Sequence, residues 1–162
     1  MSNSQSSKAK SKAKLSEMPK AIIYHQTGIR TISDPKQSAW QIIKQLRQYA
    51  KKSGYEIMNV IQYEGESRIN FKKIVVLAKS NRNVSALIVD DLDRLTGDEV
   101  TSLWIRILLK KHRVTVLSVN NPLHNNWTAS QLLNELKESL SREHARKVIE
   151  GLLRKKMKQA KK

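Results

Sequence analysis

The stretch Ser85-Ala-Leu-Ile-Val-Asp-Asp-Leu-Asp-Arg-Leu95 decides the fold of this chain. Its first residues form a short apolar run, which is typical of a strand buried on both faces of a parallel sheet. Acidic residues and an arginine follow at once. Groups just beyond the carboxyl ends of parallel strands line the ligand crevice of α/β proteins, so Asp93 and Arg94 are candidates for a functional site. The alternative is a solvated turn in which these two side chains form a local ion pair.

Strand and helix patterns alternate on both sides of this stretch. Strands are predicted at 21–24, 57–63, 86–89 and 114–119, and helices at 38–53, around 71–78 and from 98 to about 111. In the last helix we expect Asp98 to cap the amino end and Leu103, Ile107 and Leu108 to face inward. The alternation predicts an α/β domain with a mainly parallel sheet of four or five strands and helices on both faces.

A long helix is predicted over residues 130–158. This segment has no Pro and only Gly151, and apolar residues such as Leu133, Leu136 and Leu140 recur at helical intervals. A helix of about 29 residues would span about 43 Å, which is longer than a small domain needs to cover its core. We expect it to protrude or to pair with another chain. The alternative is an amphipathic helix packed along its own sheet, with a frayed basic end.

The charge of the chain points to a polyanionic partner. The 162 residues carry 31 Lys or Arg against 14 Asp or Glu, a net charge of +17. The excess is concentrated at the two ends, where it would neutralise phosphates and release counterions. We predict binding to DNA, with RNA, solubilising tails or a membrane-surface contact as alternatives. The predicted nucleic-acid contacts are Arg146, Lys147, Arg154, Lys155, Lys156 and Lys158.

Composition argues against several other classes of protein. The chain has no Cys, so disulfides and thiolate zinc sites are excluded. Its four His residues fall on separate elements without carboxylates at ligand spacing, and it has no glycine-rich phosphate loop, so we expect no metal and no cofactor. No apolar run reaches the roughly 18 to 20 residues of a membrane span. We expect a cytoplasmic, nucleoid-associated protein without membrane contact.

We divide the chain into four segments. Residues 1–20 are predicted to be a disordered basic arm and 21–128 an α/β domain of ordinary size. Residues 129–158 are the long helix, for dimerisation and DNA contact, and 159–162 are a basic tail. We see no helix-turn-helix or zinc ribbon, so reading of a DNA sequence is expected to need a separate partner.

The ending Leu92-Asp93-Arg94-Leu95 after a buried strand resembles the strand-end motif of the serine recombinases, the resolvases and invertases. Three more segments are similar to that family in the same order: Ile32 to Ser38 to its catalytic loop, Tyr63 to Arg68 to its acidic loop after the second strand, and Leu140 to Gly151 to the start of its long helix. The resemblance covers most of residues 21–158. It implies a resolvase-like fold and a homodimer or higher oligomer formed through the long helix.

The resemblance also implies a reaction. In that family a serine hydroxyl attacks a DNA phosphodiester, which gives a phosphoserine link and a free 3′ hydroxyl. Arginine groups stabilise the negative charge of the transition state without a metal. The implied site of this chain has Ser33 as the nucleophile, together with Arg30, Arg68, Asp93, Arg94 and Arg142. The alternative for Ser33 is an ordinary serine in a turn before a helix.

The chain departs from the family pattern at several positions. Gly97 stands where the family has a further arginine, and Ile42 replaces a helix glutamine. If Tyr24 is the family's strand tyrosine, then Gln26 and Gly28 occupy the arginine and serine positions. If Ser33 is the serine instead, a short insertion precedes it, and only the adjacent Arg30 could replace the missing arginine.

Three functions remain open at this stage. The chain is an active serine recombinase, a catalytically degenerate relative with an accessory role on DNA, or a structural subunit of a nucleoprotein or ribonucleoprotein assembly. Losing one electrostatic donor commonly costs about 100- to 1000-fold in rate. We therefore favour the degenerate form, with activity low or absent.

Overall fold

The computed structural model describes residues 18–27, 38–64, 69–81, 83–92, 95 and 98–159 of the chain, with the side chains of 69–71 outside that description. The strands are β1 (Lys20–Thr27), β2 (Glu56–Glu64), β3 (Val84–Val89) and β4 (Thr115–Ser118). The helices are α1 (Ala39–Lys52), α2 (Ile69–Ser80), α3 (Glu99–Lys111) and α4 (Ala129–Gln159), with a short 3₁₀ turn at Pro122–His124.

The four strands form one parallel sheet in the order β2-β1-β3-β4. The strands alternate with helices along the chain, as the periodicities predicted. The predicted fold class is confirmed: an α/β domain with a four-stranded parallel sheet and a long C-terminal helix.

Two apolar cores lie on the two faces of the sheet. Side chains alternate along each strand, so Ile22 and Leu87 pack under α2 and α3, while Ile23 and Ile88 pack under α1. All of β1 from Ala21 to Gln26 is buried. The prediction of helices on both faces is confirmed.

Side chains cap the amino ends of α1 and α3, and the cap at Asp98 is the one that the sequence predicted. Ser38 Oγ accepts a hydrogen bond from the Gln41 amide at 3.4 Å, and Gln41 Oε1 accepts one from the Ser38 amide at 3.0 Å, a capping box. Gly54, with φ of +80°, stands just beyond the end of α1. At α3, Asp98 Oδ1 accepts from the Thr101 amide at 2.7 Å.

The inward face of α3 was predicted only in part. Leu103 is buried, but Ile107 and Leu108 are half-buried, and Ile105 and Leu109 are fully buried instead. The reason is that α3 has two neighbours. Ile105 and Leu109 face the sheet, whereas Leu103 and Ile107 face α4.

Only the first turns of α4 pack on the domain. Leu132, Leu136 and Ser139 are buried, and the two leucines join Leu103 of α3 in a separate apolar cluster. From Leu140 to Gln159 every residue except Glu143 is exposed. The alternative of an amphipathic helix packed on its own sheet is therefore wrong, because α4 packs on α3 and Leu133 and Leu140 are exposed.

The entry into α4 is fixed by three neighbouring residues. The Thr128 amide donates to Gln131 Oε1 at 2.8 Å, and the Gln131 amide donates to Thr128 Oγ1 at 3.2 Å. Trp127 precedes this capping box and packs in the same cluster as Leu132, five residues later, the arrangement of a hydrophobic staple. Trp127 therefore helps to attach α4 to the domain.

α4 runs antiparallel to α3. Lys110, near the end of α3, donates to the carbonyl of Trp127 before α4, whereas Glu99, at the start of α3, lies 3.7 Å from Arg142 of α4. α3 leads from the end of β3 back to the start of β4, so its first turn lies on the carboxyl side of the sheet. α4 therefore returns to that edge and continues beyond it.

We predict that Leu136→Ala loosens the attachment of α4. Removing a buried leucine side chain costs about 2–5 kcal/mol, so the free energy of unfolding should fall by that order in urea denaturation. The matched control is Leu133→Ala on the same helix, where the leucine is 43% exposed, and its effect should stay within about 0.5 kcal/mol. Equal losses in the two variants would contradict the described packing.

Candidate functional site

The order of the strands places a crevice at the carboxyl ends of β1 and β3. From β1 the chain passes through α1 to β2 on one side, and through α2 it then crosses to β3 and β4 on the other. Ligands of open parallel sheets bind where the order reverses in this way. The loops after β1 and β3, which carry four of the predicted site residues, therefore begin at one edge. Those four, Arg30, Ser33, Asp93 and Arg94, and also Arg68, lie outside the described residues.

The described floor of this crevice is a buried polar pair. His25, near the end of β1, is fully buried, and its Nδ1 lies 3.7 Å from Oδ2 of Asp90, directly after β3. Neither His25 nitrogen has a hydrogen-bond partner among the described residues. The contact couples the ends of the two central strands. No local sequence pattern indicates this contact, and from the sequence His25 was only one of four His residues weighed as metal ligands.

Tyr24 and Gln26 form a second polar contact on β1. The Tyr24 hydroxyl donates to Gln26 Oε1 at 2.8 Å, and both side chains are buried. Burial, with a smaller contribution from Tyr63, raises the pKa of Tyr24 to about 12. The phenol is therefore neutral at physiological pH. In one alignment to the family pattern, Gln26 stands at the position of an arginine. A neutral amide therefore replaces a cation near the carboxyl end of β1.

A hydrogen-bond network joins the ends of β3 and β4. The main-chain oxygen of Asp90 accepts from the Asn120 amide at 2.9 Å and from Ser118 Oγ at 3.2 Å. Asn125 accepts from the Ser118 amide at 2.7 Å and donates to the Ser118 carbonyl at 3.0 Å. This network holds the turn after β4 against the crevice. The sequence indicated a turn here but not the pairing of Asn125 with Ser118.

Arg142 is the one predicted site arginine within the described residues. Its Nη2 donates to Glu135 Oε1 at 3.0 Å and to Ser139 Oγ at 2.9 Å, and it lies 3.7 Å from Glu99 Oε1. The hydrogen bond to Glu135, with the charge of Glu99, raises the pKa of Arg142 above its usual value. Arg142 thus carries a full charge, and two carboxylates hold it at the start of α3.

A cleft of about 640 Å³ lies beside Arg142. It is open to solvent between the start of α3 and the middle of α4, and Arg142 and Arg146 line it together with Asp98, Glu99 and Glu143. Cations and carboxylates therefore alternate on its wall. A phosphate entering this cleft would meet Arg142 beside two carboxylates, Glu99 and Glu135, whose negative charge opposes its binding.

Arg106 is a buried cation that sequence analysis missed. It donates to the carbonyl of His124 at 2.6 Å, and its guanidinium lies 5.4 Å from the centre of the Trp127 ring. Burial lowers its pKa. Arg106 therefore ties the turn after β4 and the start of α4 to α3, which is a structural function.

The predicted nucleic-acid contacts all lie on the exposed part of α4. Arg146 lies 4.0 Å from Glu150, and Lys147 lies 2.8 Å from Glu143, both one helical turn apart. Exposed pairs of this kind contribute little to stability. No ion pair involves the four cations from Arg154 to Lys158 within the described part of the chain. Those four leave a surface of uncompensated positive charge, formed by Arg154, Lys155, Lys156 and Lys158.

Within the described ranges, none of the helices combines the length and the apolar character that crossing a bilayer requires.

Comparison with known proteins gives one family and several similar folds. The model of the resolvase N-terminal domain matches residues 29–162. No curated protein matches the chain. The predicted resemblance to serine recombinases is thereby confirmed, on a match that includes the segments quoted for it from Ile32 onward.

Solved structures share this fold. The N-terminal catalytic domain of TP901-1 integrase is 19% identical, with 80% of this chain and 98% of that chain covered and a TM-score of 0.60. A resolvase family site-specific recombinase from Streptococcus pneumoniae is 20% identical, with 84% and 97% covered and a TM-score of 0.65. The C-terminal catalytic domain of ISC1926 TnpA, an IS607-like serine recombinase, is 25% identical, with 80% and 84% covered and a TM-score of 0.51. The expected resolvase-like fold is confirmed.

We predict a pH dependence that belongs to Tyr24. Its pKa is about 12 in the folded chain and near 10 when unfolded. A pKa raised by folding stabilises the protein below the unfolded value, and this contribution is lost as pH rises from about 10 to about 12. Urea denaturation at pH 9 and pH 11.5 should therefore show a larger loss of stability in the wild type than in Tyr24→Phe. Equal losses would contradict the buried phenol.

Proposed function

We propose that this chain, which belongs to the resolvase N-terminal domain family, binds DNA as a serine recombinase-type protein with low or absent strand cleavage. The family supplies the reaction type, DNA cleavage and exchange through a phosphoserine. The observation that carries DNA binding is the protruding part of α4. Between residues 141 and 159 it has seven Lys or Arg against two Glu, almost all of them exposed.

The path of α4 supports the idea that one DNA duplex contacts both the basic end of α4 and the candidate site. α4 passes the start of α3 at Arg142 and leaves the domain at the carboxyl edge of the sheet. The loops that carry Arg30, Ser33 and Arg94 also begin at that edge. A duplex that follows the basic end of α4 would therefore approach the crevice between β1 and β3. Phosphate contacts of this kind position DNA without reading its sequence.

The proposed chemistry uses Ser33 as the nucleophile. Its hydroxyl oxygen would bond to phosphorus while the bond from phosphorus to the 3′ oxygen breaks, leaving a phosphoserine and a 3′ hydroxyl. Four cations would stabilise the negative charge on the phosphoryl oxygens: Arg30, Arg68, Arg94 and Arg142. Asp93 is the remaining residue of the proposed site.

Two features support low activity. Gly97 supplies no cation where the family has one, and Arg142 is held by Glu135 and Glu99. A guanidinium whose charge is already partly neutralised by two carboxylates stabilises a phosphoryl transition state less than an unpaired one does. Each missing donor costs about 100- to 1000-fold in rate.

A homodimer or higher oligomer is part of the proposal. Four exposed apolar residues lie close together in the protruding part of α4: Val148, Ile149, Leu152 and Leu153. They have no cover within the described residues of one chain. A second copy pairing along this segment would bury them and would bring two basic ends together. A separate partner is proposed for reading the DNA sequence.

An accessory subunit of a nucleoprotein assembly is the second candidate. The observations in its favour are Gly97 and the pairing of Arg142 with Glu135 and Glu99, which would lower cleavage without changing the basic end of α4. An RNA-bound assembly would use the same cations.

We predict that the basic end of α4 dominates binding. Replacing Arg154, Lys155, Lys156 and Lys158 by Gln should weaken binding to a duplex and reduce the slope of log K against log salt concentration. The reduction should be about 0.9 for each phosphate that the variant no longer neutralises. The control replaces four other exposed lysines, Lys72, Lys73, Lys79 and Lys111. Equal effects of the two variants, or tighter binding to RNA than to DNA, would contradict the proposal.

We predict that cleavage is limited by the missing arginine. On supercoiled plasmid the wild type should form little or no covalent protein–DNA adduct, whereas Gly97→Arg should increase its yield. Adding Ser33→Ala to Gly97→Arg should abolish the adduct. Rapid adduct formation by the wild type would show that the site is complete, and an adduct that survives Ser33→Ala would exclude Ser33 as the nucleophile.

A further inference from the structure

The outer side of α1 carries a continuous stripe of one aromatic residue and three cations. Successive helix residues are about 100° apart, so these four positions fall within an arc of about 60°. They are Trp40, Lys44, Arg47 and Lys51, here called the α1 stripe. The buried residues of α1 lie on the opposite side of the helix: Ile42, Leu46 and Ala50.

Nothing in the described structure neutralises the α1 stripe. The 14 residues of α1 include no Asp or Glu, and no ion pair among the described residues involves its cations. Trp40 is 68% exposed, and Lys44 Nζ lies 5.1 Å from the centre of its ring. An indole in this position contributes almost nothing to the core. Exposed aromatic groups beside a row of cations are instead typical of surfaces that bind single-stranded nucleic acid.

We propose that the α1 stripe binds single-stranded DNA, with an unpaired base stacked on Trp40 and the following phosphates on Lys44, Arg47 and Lys51. Stacking needs an exposed base face, which a paired base inside a duplex does not offer. The three cations span about 10 Å along the helix, a length that can follow a strand past several phosphates. The proposal rests on the proposed function in one respect, that the partner is DNA.

The position of the α1 stripe adds to this argument. Trp40 is two residues beyond the Ser38 cap, at the end of α1 next to the carboxyl edge of the sheet. The stripe runs from there toward the opposite edge. α1 covers one face of the sheet, while α2 and α3 cover the other and α4 packs on α3. A strand unpaired at the crevice would thus continue along α1, away from the duplex at the basic end of α4.

The first test separates stacking from general charge. Binding of an oligo-dT strand and of a duplex of equal length is measured by fluorescence anisotropy with the full chain. Trp40→Ala should weaken binding of the single strand about tenfold and leave the duplex within about twofold. The matched control is Trp104→Ala on α3, which removes another exposed indole, 49% exposed, and should change neither affinity.

The second test measures the phosphate contacts. Replacing Lys44, Arg47 and Lys51 by Gln should lower the salt slope for the single strand by about 2, since each contact contributes about 0.7. A variant with Lys72, Lys73 and Lys79 of α2 replaced by Gln has the same net charge and should retain the wild-type slope. Circular dichroism confirms that each variant is folded.

The outcomes distinguish this proposal from the proposed function. If the wild type binds duplex DNA but Trp40→Ala behaves like Trp104→Ala, or weakens single strand and duplex equally, the single-strand site is overturned and the duplex function stands. If the wild type binds neither form of DNA, both are overturned. A polyglutamate peptide that displaces the single strand at equal charge concentration would show a general acidic partner and would also overturn the single-strand site.

Discussion

Burial of β1 on both faces is the constraint from which the rest of the architecture follows. Six consecutive residues of this strand are buried, so apolar layers must cover it above and below. α1 supplies one layer, and α2 with α3 supplies the other. Two helical layers on opposite faces require the chain to reverse its direction across the sheet, and the reversal falls beside β1. The crevice between β1 and β3 therefore results from the packing of the central strand. The segments that follow β1 and β3 begin at this crevice.

Much of this could be predicted from the sequence, because periodicity reports local burial directly. The four strands, the capped helices and the long C-terminal helix follow from patterns within 10 to 30 residues. Periodicity cannot say which neighbour covers an apolar face. For that reason Ile105 and Leu109 were missed as inward residues of α3, and Ile107 and Leu108 were expected to face inward but are half-buried. Contacts between distant elements left no local pattern, and so His25 with Asp90, Asn125 with Ser118 and the buried Arg106 emerged only from the structure. The site residues on the loops were predicted from resemblance to a family. Such a resemblance compares sequence motifs and gives no positions in space.

The cations of this chain fall into two groups, according to whether other residues of the chain hold them. Arg142 and Arg106 are held within the domain, by carboxylates in one case and by a carbonyl and an aromatic ring in the other. Among the described residues, the cations of the α1 stripe and of the last turns of α4 have no carboxylate partner. A polyanion gains most where no carboxylate must first be displaced. This difference between the exposed cations and Arg142 supports the proposal that the protein binds DNA more readily than it cleaves it.

The division of α4 into a packed beginning and a protruding remainder has a mechanical consequence. About 20 residues extend past Ser139, a rod of about 30 Å anchored mainly through Leu132 and Leu136. Tilting that rod by about 10° at its anchor would move its far end by about 5 Å. A small change in the packing of α4 on α3 would thus produce a larger displacement at the far end of α4. A force on the far end of α4 would in turn act on its contact with α3, where Glu99 and Glu135 pair with Arg142.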